Sequence, residues 1–151
     1  MFKMKGVVPP MLTPFTEDGS LDIDGLKTLT TFLVEHVHGL FICGSYGSGA
    51  LMSLEERKQV TETVIQIAGG KIPVIVMVGT TNNYHSVDLA QHAEKAGADA
   101  VASVGPYYFT HKDDSLRYFY GDLIKAVDIP VYVYNNPKFQ GYEMSEDLLM
   151  Q

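Results

Sequence analysis

Positive charge is scarce in this sequence: eleven Lys and Arg stand against eighteen Asp and Glu, a net charge of −7 at pH 7. A phosphate backbone needs a basic face to bind, so nucleic acid is excluded as a partner. Cysteine is nearly missing. Cys43 stands alone, which rules out an internal disulfide and a cysteine-built zinc cluster and suits a reducing cytoplasm. Long apolar runs are missing too. None approaches the roughly 18 residues that cross a bilayer, and residues 1–6 hold no apolar stretch of signal-peptide length. The expectation is a soluble, cytoplasmic chain without a membrane partner. The five histidines are scattered. His36 and His38, the one close pair, would face opposite sides of a helix. No metal site is therefore expected, and nothing else in the sequence implies an organic cofactor.

What the sequence does contain is a rhythm. Its 151 residues are 46% hydrophobic and 19% charged, the composition and length of one globular domain. Short apolar runs at 6–12, 39–43, 73–78, 100–104 and 130–134 alternate with longer amphipathic stretches. Leu26, Leu29, Leu33 and Val37 recur at helical spacing behind a cap at Asp22. Ser53-Leu54-Glu55-Glu56 reads as a capping box opening a helix to about Ala68. Further helices are predicted over 85–96, stopped by Gly97, over 114–126, and from Ser145 onward.

Five nearly continuous apolar strands, each feeding a crossover helix, read as a parallel α/β sheet buried on both faces. An open doubly wound sheet would carry a nucleotide fingerprint after its first strand. Pro9-Pro10-Met11-Leu12-Thr13-Pro14 is nothing like one. The better expectation is a (β/α)8 TIM barrel, of which residues 1–151 supply the first five strands of a single domain, with strands six to eight absent.

Barrel enzymes keep their chemistry at the C-terminal ends of the strands. There this sequence sets Ser45-Tyr46-Gly47 in a glycine-rich loop, Tyr107-Tyr108 after the fourth strand, and Tyr134-Asn135-Asn136-Pro137 after the fifth. Hydroxyls gathered at one rim can pass protons, and loop N–H groups can approach a carboxylate. Each item also has a plain structural explanation. The loop can be a tight turn, and Tyr107-Tyr108 can be rim packing. Tyr118 and Tyr120 fall in a helical pattern and read as packing. Periodicity alone does not choose a face for Tyr132 or Tyr134.

Taken in order, the motifs resemble one known family. Gly6-Val7-Val8-Pro9, Leu12-Thr13-Pro14-Phe15, the loop from Gly44 to Gly47 and Leu54-Glu55-Glu56-Arg57 open the series. Ala96-Gly97-Ala98-Asp99-Ala100, Pro106-Tyr107-Tyr108 and Tyr134-Asn135-Asn136-Pro137 complete it. Over essentially its whole length the chain is similar to the dihydrodipicolinate synthase / N-acetylneuraminate lyase family of Schiff-base-forming lyases. That resemblance implies a class I lyase or aldolase acting on pyruvate or a related 2-keto acid. It also implies that Tyr134 shuttles protons and that Ser45 relays to it or orients it. Ser45, Tyr46 and Gly47 would hold the substrate, and Tyr108 would reach a neighbouring subunit's site in a homo-oligomer, dimer or tetramer.

The departures matter as well. Tyr46 and Ser48 stand where the family usually has threonine and glutamate. Lys138-Phe139 stands where dihydrodipicolinate synthases carry an arginine for the aldehyde's carboxylate. This favours a substrate other than aspartate semialdehyde, with the synthase as the alternative. The family's imine-forming lysine would fall beyond Gln151, on a sixth strand. Of the lysines present, Lys27, Lys58, Lys95 and Lys125 fall on helices, and Lys3, Lys5 and Lys71 precede strands. Lys112 and Lys138 lie on rim loops, where a solvated amine stays protonated. The 151 residues alone are therefore expected to be inactive. A non-catalytic half-barrel acting through a partner chain, or an open α/β module that binds a small acid, are the remaining readings.

Overall fold

The computed structural model describes residues 4–150; Lys3 lies outside them. Its frame is a four-stranded parallel sheet of β1 (Leu40–Ile42), β2 (Val74–Met77), β3 (Ala100–Val104) and β4 (Val131–Tyr134), in that spatial order. Helices α1 (Ile23–Val34), α2 (Leu54–Ala68), α3 (Asn83–Ala96) and α4 (Asp113–Ala126) alternate with the strands. Each packs on the next, α1 on α2, α2 on α3 and α3 on α4. Strand order never reverses, so the sheet is singly wound, as in a barrel. That excludes the doubly wound alternative, which needs a switch point.

The predicted first strand is the main departure. Over 6–12 it reduces to a single parallel bridge, Pro10 to Phe41. The Met11 N–H donates to the Phe41 carbonyl at 2.9 Å, and the Phe41 N–H to the Pro9 carbonyl at 3.2 Å. The segment lies where a strand belongs, but Pro9, whose bonding groups turn towards β1, brings no N–H to that ladder.

The helix signals hold. Asp22 caps α1 by accepting from the Gly25 N–H at 2.8 Å. Ser53 and Glu56 form the reciprocal capping box of α2, and α3 stops at Gly97. Because α1 ends at Val34, His36 and His38 lie beyond it rather than on it. His38 Nδ1 accepts from the Val7 N–H at 3.0 Å. After β4 come a short helix α5 (Pro137–Gln140), absent from the predicted elements, and α6 (Glu146–Leu149), which Ser145 caps.

Strand register sorts the side chains. Phe41, Ile75, Ala102, Tyr132 and Tyr134 share the face away from the helices, while Leu40, Ile42, Val74, Val76 and Val101 face them. The helix-side set is fully buried and meets Leu26, Val60, Val64, Leu89, Leu116 and Leu123 in one core. Each such side chain contributes roughly 1.5–3 kcal/mol. Tyr120 is packed as expected, its hydroxyl donating to the Ser103 carbonyl at 3.0 Å. Tyr118 is not: it projects from α4 into solvent, because it sits two positions from Tyr120 and so on another side of the helix.

Candidate active site

All four strands point their C-terminal ends to one rim, and the loops there form the site. The loop after β1 is tightly wound. Cys43 and Ser48, both non-glycine, adopt left-handed backbone at φ +56° and +57°, a conformation held only where surroundings impose it. A Cβ on Gly49 would collide with the Cys43 carbonyl, and one on Gly47 would sit 2.8 Å from the Met11 carbonyl. Only glycine fits either place. The Thr13 hydroxyl donates to the Gly47 carbonyl at 2.7 Å and pins the loop. Among the described residues, the N–H groups of Ser45, Tyr46 and Gly47 meet no acceptor. Three successive free donors of this kind suit an anion.

Beneath the loop lies an arginine that the sequence reading left without a role. Arg57 is 3% exposed. Its Nη1 donates to the Gly79 carbonyl at 3.2 Å and its Nη2 to the Met77 carbonyl at 2.5 Å, while its Nε finds no partner. Burial lowers the guanidinium's pKa, partly opposed by the neighbouring Cys43 thiol and Tyr107 phenol. Burial likewise pushes the Cys43 thiol up to about 11, so it is a packed, unreactive group. Periodicity carried the signal for Arg57: it shares a helix face with Val60, Thr61 and Val64, all buried.

Ser45, Tyr46, Tyr134, Asn136, Lys138 and Phe139 line an open cleft of about 460 Å³ at the rim. Tyr134 is half-buried, its ring edge-on to Phe41 with centroids 6.0 Å apart. The structure therefore brings together Ser45, Tyr46 and Tyr134, three of the predicted site residues. Gly47 is buried below them. The expected link between Ser45 and Tyr134 is not a direct hydrogen bond; the Tyr134 oxygen instead accepts from Asn136 Nδ2 at 3.0 Å. Tyr108 stands apart, 85% exposed, at φ +84° and edge-on to Phe109. Lys138, expected on a loop, is on α5 and lines the cleft, its Nζ 5.8 Å from the Phe139 ring centre.

A parallel sheet in barrel order, with hydroxyls and free loop N–H groups at its C-terminal rim, defines the class of β/α-barrel proteins. Residues 3–150 match the model of the dihydrodipicolinate synthetase family, and the chain belongs to it. Its parallel β/α layer is the N-terminal half of that family's (β/α)8 barrel.

The chain is 32% identical, over 97% of its length, to the probable 2-dehydro-3-deoxy-D-pentonate aldolase YjhH of Escherichia coli. It is 36% identical over 96% to the 4-hydroxy-tetrahydrodipicolinate synthase of Methanothrix thermoacetophila. It superposes with a TM-score of 0.92 and 34% identity on 49% of the crystal structure of E. coli YagE in complex with pyruvate, covering 95% of this chain. The chain spans about half the length of the curated relatives it matches, 49% of each of these two.

Proposed function

We propose that the protein to which these residues belong is a class I aldolase that cleaves or forms a C–C bond next to pyruvate or a related 2-keto acid. One observation carries this reading: Ser45, Tyr46 and Tyr134 line one cleft, and the N–H groups of Ser45 and Tyr46 there meet no acceptor among the described residues, with that of Gly47 equally free below them. The N–H groups would hold the keto acid's carboxylate. A lysine amine from outside the 151 residues would attack the keto carbon and expel water, leaving an imine. On cleavage, the bond electrons flow into the imine to give an enamine. Tyr134 takes the proton from the substrate hydroxyl that becomes the aldehyde as it passes its own on towards the enamine carbon. Water then hydrolyses the resulting imine, releasing pyruvate and the lysine amine. Family membership and the pyruvate-bound relative support it.

Borohydride reduction in the presence of pyruvate tests the reading. The full-length protein should gain the mass of one reduced pyruvate adduct, and residues 1–151 alone should gain none. A full-length protein that stays unmodified refutes it.

Lys138 on the cleft wall favours a second reading, condensation of pyruvate with aspartate semialdehyde, because a cation there meets a carboxylate as a point charge. Phe139 beside it offers the carboxylate nothing. Turnover of the semialdehyde in a coupled assay, measured against 2-keto-3-deoxy sugar acids, separates the two, and the sugar acids are expected to be the better substrates.

The exposed Tyr108 and Phe109 support a homo-oligomer in which this tip reaches a neighbouring subunit. Tyr108→Ala should weaken the oligomer in ultracentrifugation, and an unchanged mass would count against it. The lone buried thiol suits a reducing cytoplasm.

A further inference from the structure

The hydroxyl of Tyr134 is held by a side chain to which the sequence reading assigned no role. Asn136 sits at the N-cap position of α5 but makes no side-chain cap bond, although asparagine is a favoured cap. Its amide goes instead to Tyr134, Nδ2 donating to the phenol oxygen at 3.0 Å. A phenol oxygen that accepts one hydrogen bond keeps its own O–H for a second partner.

Asn136 is itself held. Its backbone N–H donates to Gln140 Oε1 at 3.2 Å, and its carbonyl accepts from the N–H groups of Phe139 and Gln140 at 3.0 Å each. Gln140 is 1% exposed. Its Nε2 donates to Asn135 Oδ1 and to the Tyr142 carbonyl, both at 2.7 Å. The Tyr142 hydroxyl in turn donates to the Pro106 carbonyl at 2.8 Å, in the loop after β3. A buried amide with every polar atom paired has one low-energy orientation. The chain of bonds thus runs from the β3 loop through Tyr142, Gln140 and Asn136 to the Tyr134 oxygen. Ser45 lines the same cleft and makes no side-chain bond among the described residues.

We infer that Asn136 is a positioning residue that orients the Tyr134 hydroxyl toward the cleft, with Gln140 as its buried support. Its catalytic meaning rests on the aldolase reading; the hydrogen bond itself does not. The test uses the full-length protein with tyrosine labelled at the ζ-carbon, the Tyr134 resonance being assigned by its loss in Tyr134→Phe. Asn136→Leu removes the donor and Asn136→Asp replaces it with an acceptor of the same shape. Both should move the Tyr134 resonance, Asp moving it downfield as the phenol becomes the donor. With pyruvate-derived substrate, both should lower kcat by about tenfold or more, with KM changed far less. A Tyr134 resonance unmoved in both folded variants overturns the inference, whatever happens to kcat. A wild-type protein without turnover refutes the aldolase reading and leaves the resonance to decide the positioning.

Discussion

Arg57 and Gly79 are joined across 22 positions of sequence: the guanidinium Nη1 donates to the glycine carbonyl at 3.2 Å, while Nη2 takes the carbonyl of Met77. The pair ties the first turns of α2, just behind the glycine loop, to the chain leaving β2. Each buried carbonyl deprived of its donor costs about 1–3 kcal/mol, offset in part by removal of a desolvated charge. Arg57→Leu should therefore destabilise the full-length protein by about 2 kcal/mol in urea unfolding. Arg57→Lys should rescue little, since one ammonium does not span both carbonyls as the planar fork does. A loss below about 0.5 kcal/mol for both would show that the guanidinium carries no net structural weight.

Gly49→Ala should damage the site more than the fold. Its added methyl meets the Cys43 carbonyl, so the loop must move, taking the N–H groups of Ser45, Tyr46 and Gly47 with it. Pyruvate-dependent borohydride trapping should be lost while far-UV circular dichroism stays native. Wild-type trapping by this variant would remove the loop from the site.

Cys43 makes a pH prediction. Its thiol is raised from 9.0 to about 11 in the folded protein, mainly by burial. Between those values the unfolded chain releases a proton that the folded one keeps, so stability is intact below about pH 9 and declines as pH rises towards 11. The slope due to this group is on the order of 1.4 kcal/mol per pH unit. Urea unfolding of Cys43→Ala over the same range should give a flatter limb. The folded thiol should also resist alkylation at pH 8 and react only when the protein is denatured.

Ser53→Ala removes one half of the capping box. The expected cost is about 1 kcal/mol, with trapping by pyruvate unchanged because the cap lies outside the cleft. A concurrent loss of trapping would show that the start of α2 and the glycine loop move together.

Periodicity and capping made most of the fold legible. Ser53-Leu54-Glu55-Glu56 and Gly97 mark helix ends through local chemistry, which the rest of the protein does not override. The stretch over 6–12 departs from its pattern for an equally local reason: its apolar run is that of a strand, but Pro9, on the side facing β1, cannot donate. The rim residues Ser45, Tyr46 and Tyr134 were found because they share a strand-end position. Asn136 is legible at the same rim but without a role, and Gln140 and Tyr142 are not legible, since a chain of side-chain bonds between two loops leaves no spacing to read. Tyr118 and Tyr120 look alike in the sequence because a tyrosine on a helix serves packing or solvent equally well, and only the direction of the helix separates them.

The proline bridge gives the two margins of the sheet different capacities. Pro9 and Met11 turn their bonding groups towards Phe41, so the alternate residues Val8, Pro10 and Leu12 face outward. The middle one of these has no hydrogen to give. At the opposite margin, Val131–Tyr134 is a continuous strand without a proline, its Tyr132 and Val133 partly open to solvent. A strand arriving from the same chain or another finds a complete ladder on one side and a gap on the other. The two margins thus differ in donors: a strand laid beside the 8–12 segment meets the N–H groups of Val8 and Leu12 but none at Pro10, whereas one laid beside Val131–Tyr134 meets no proline.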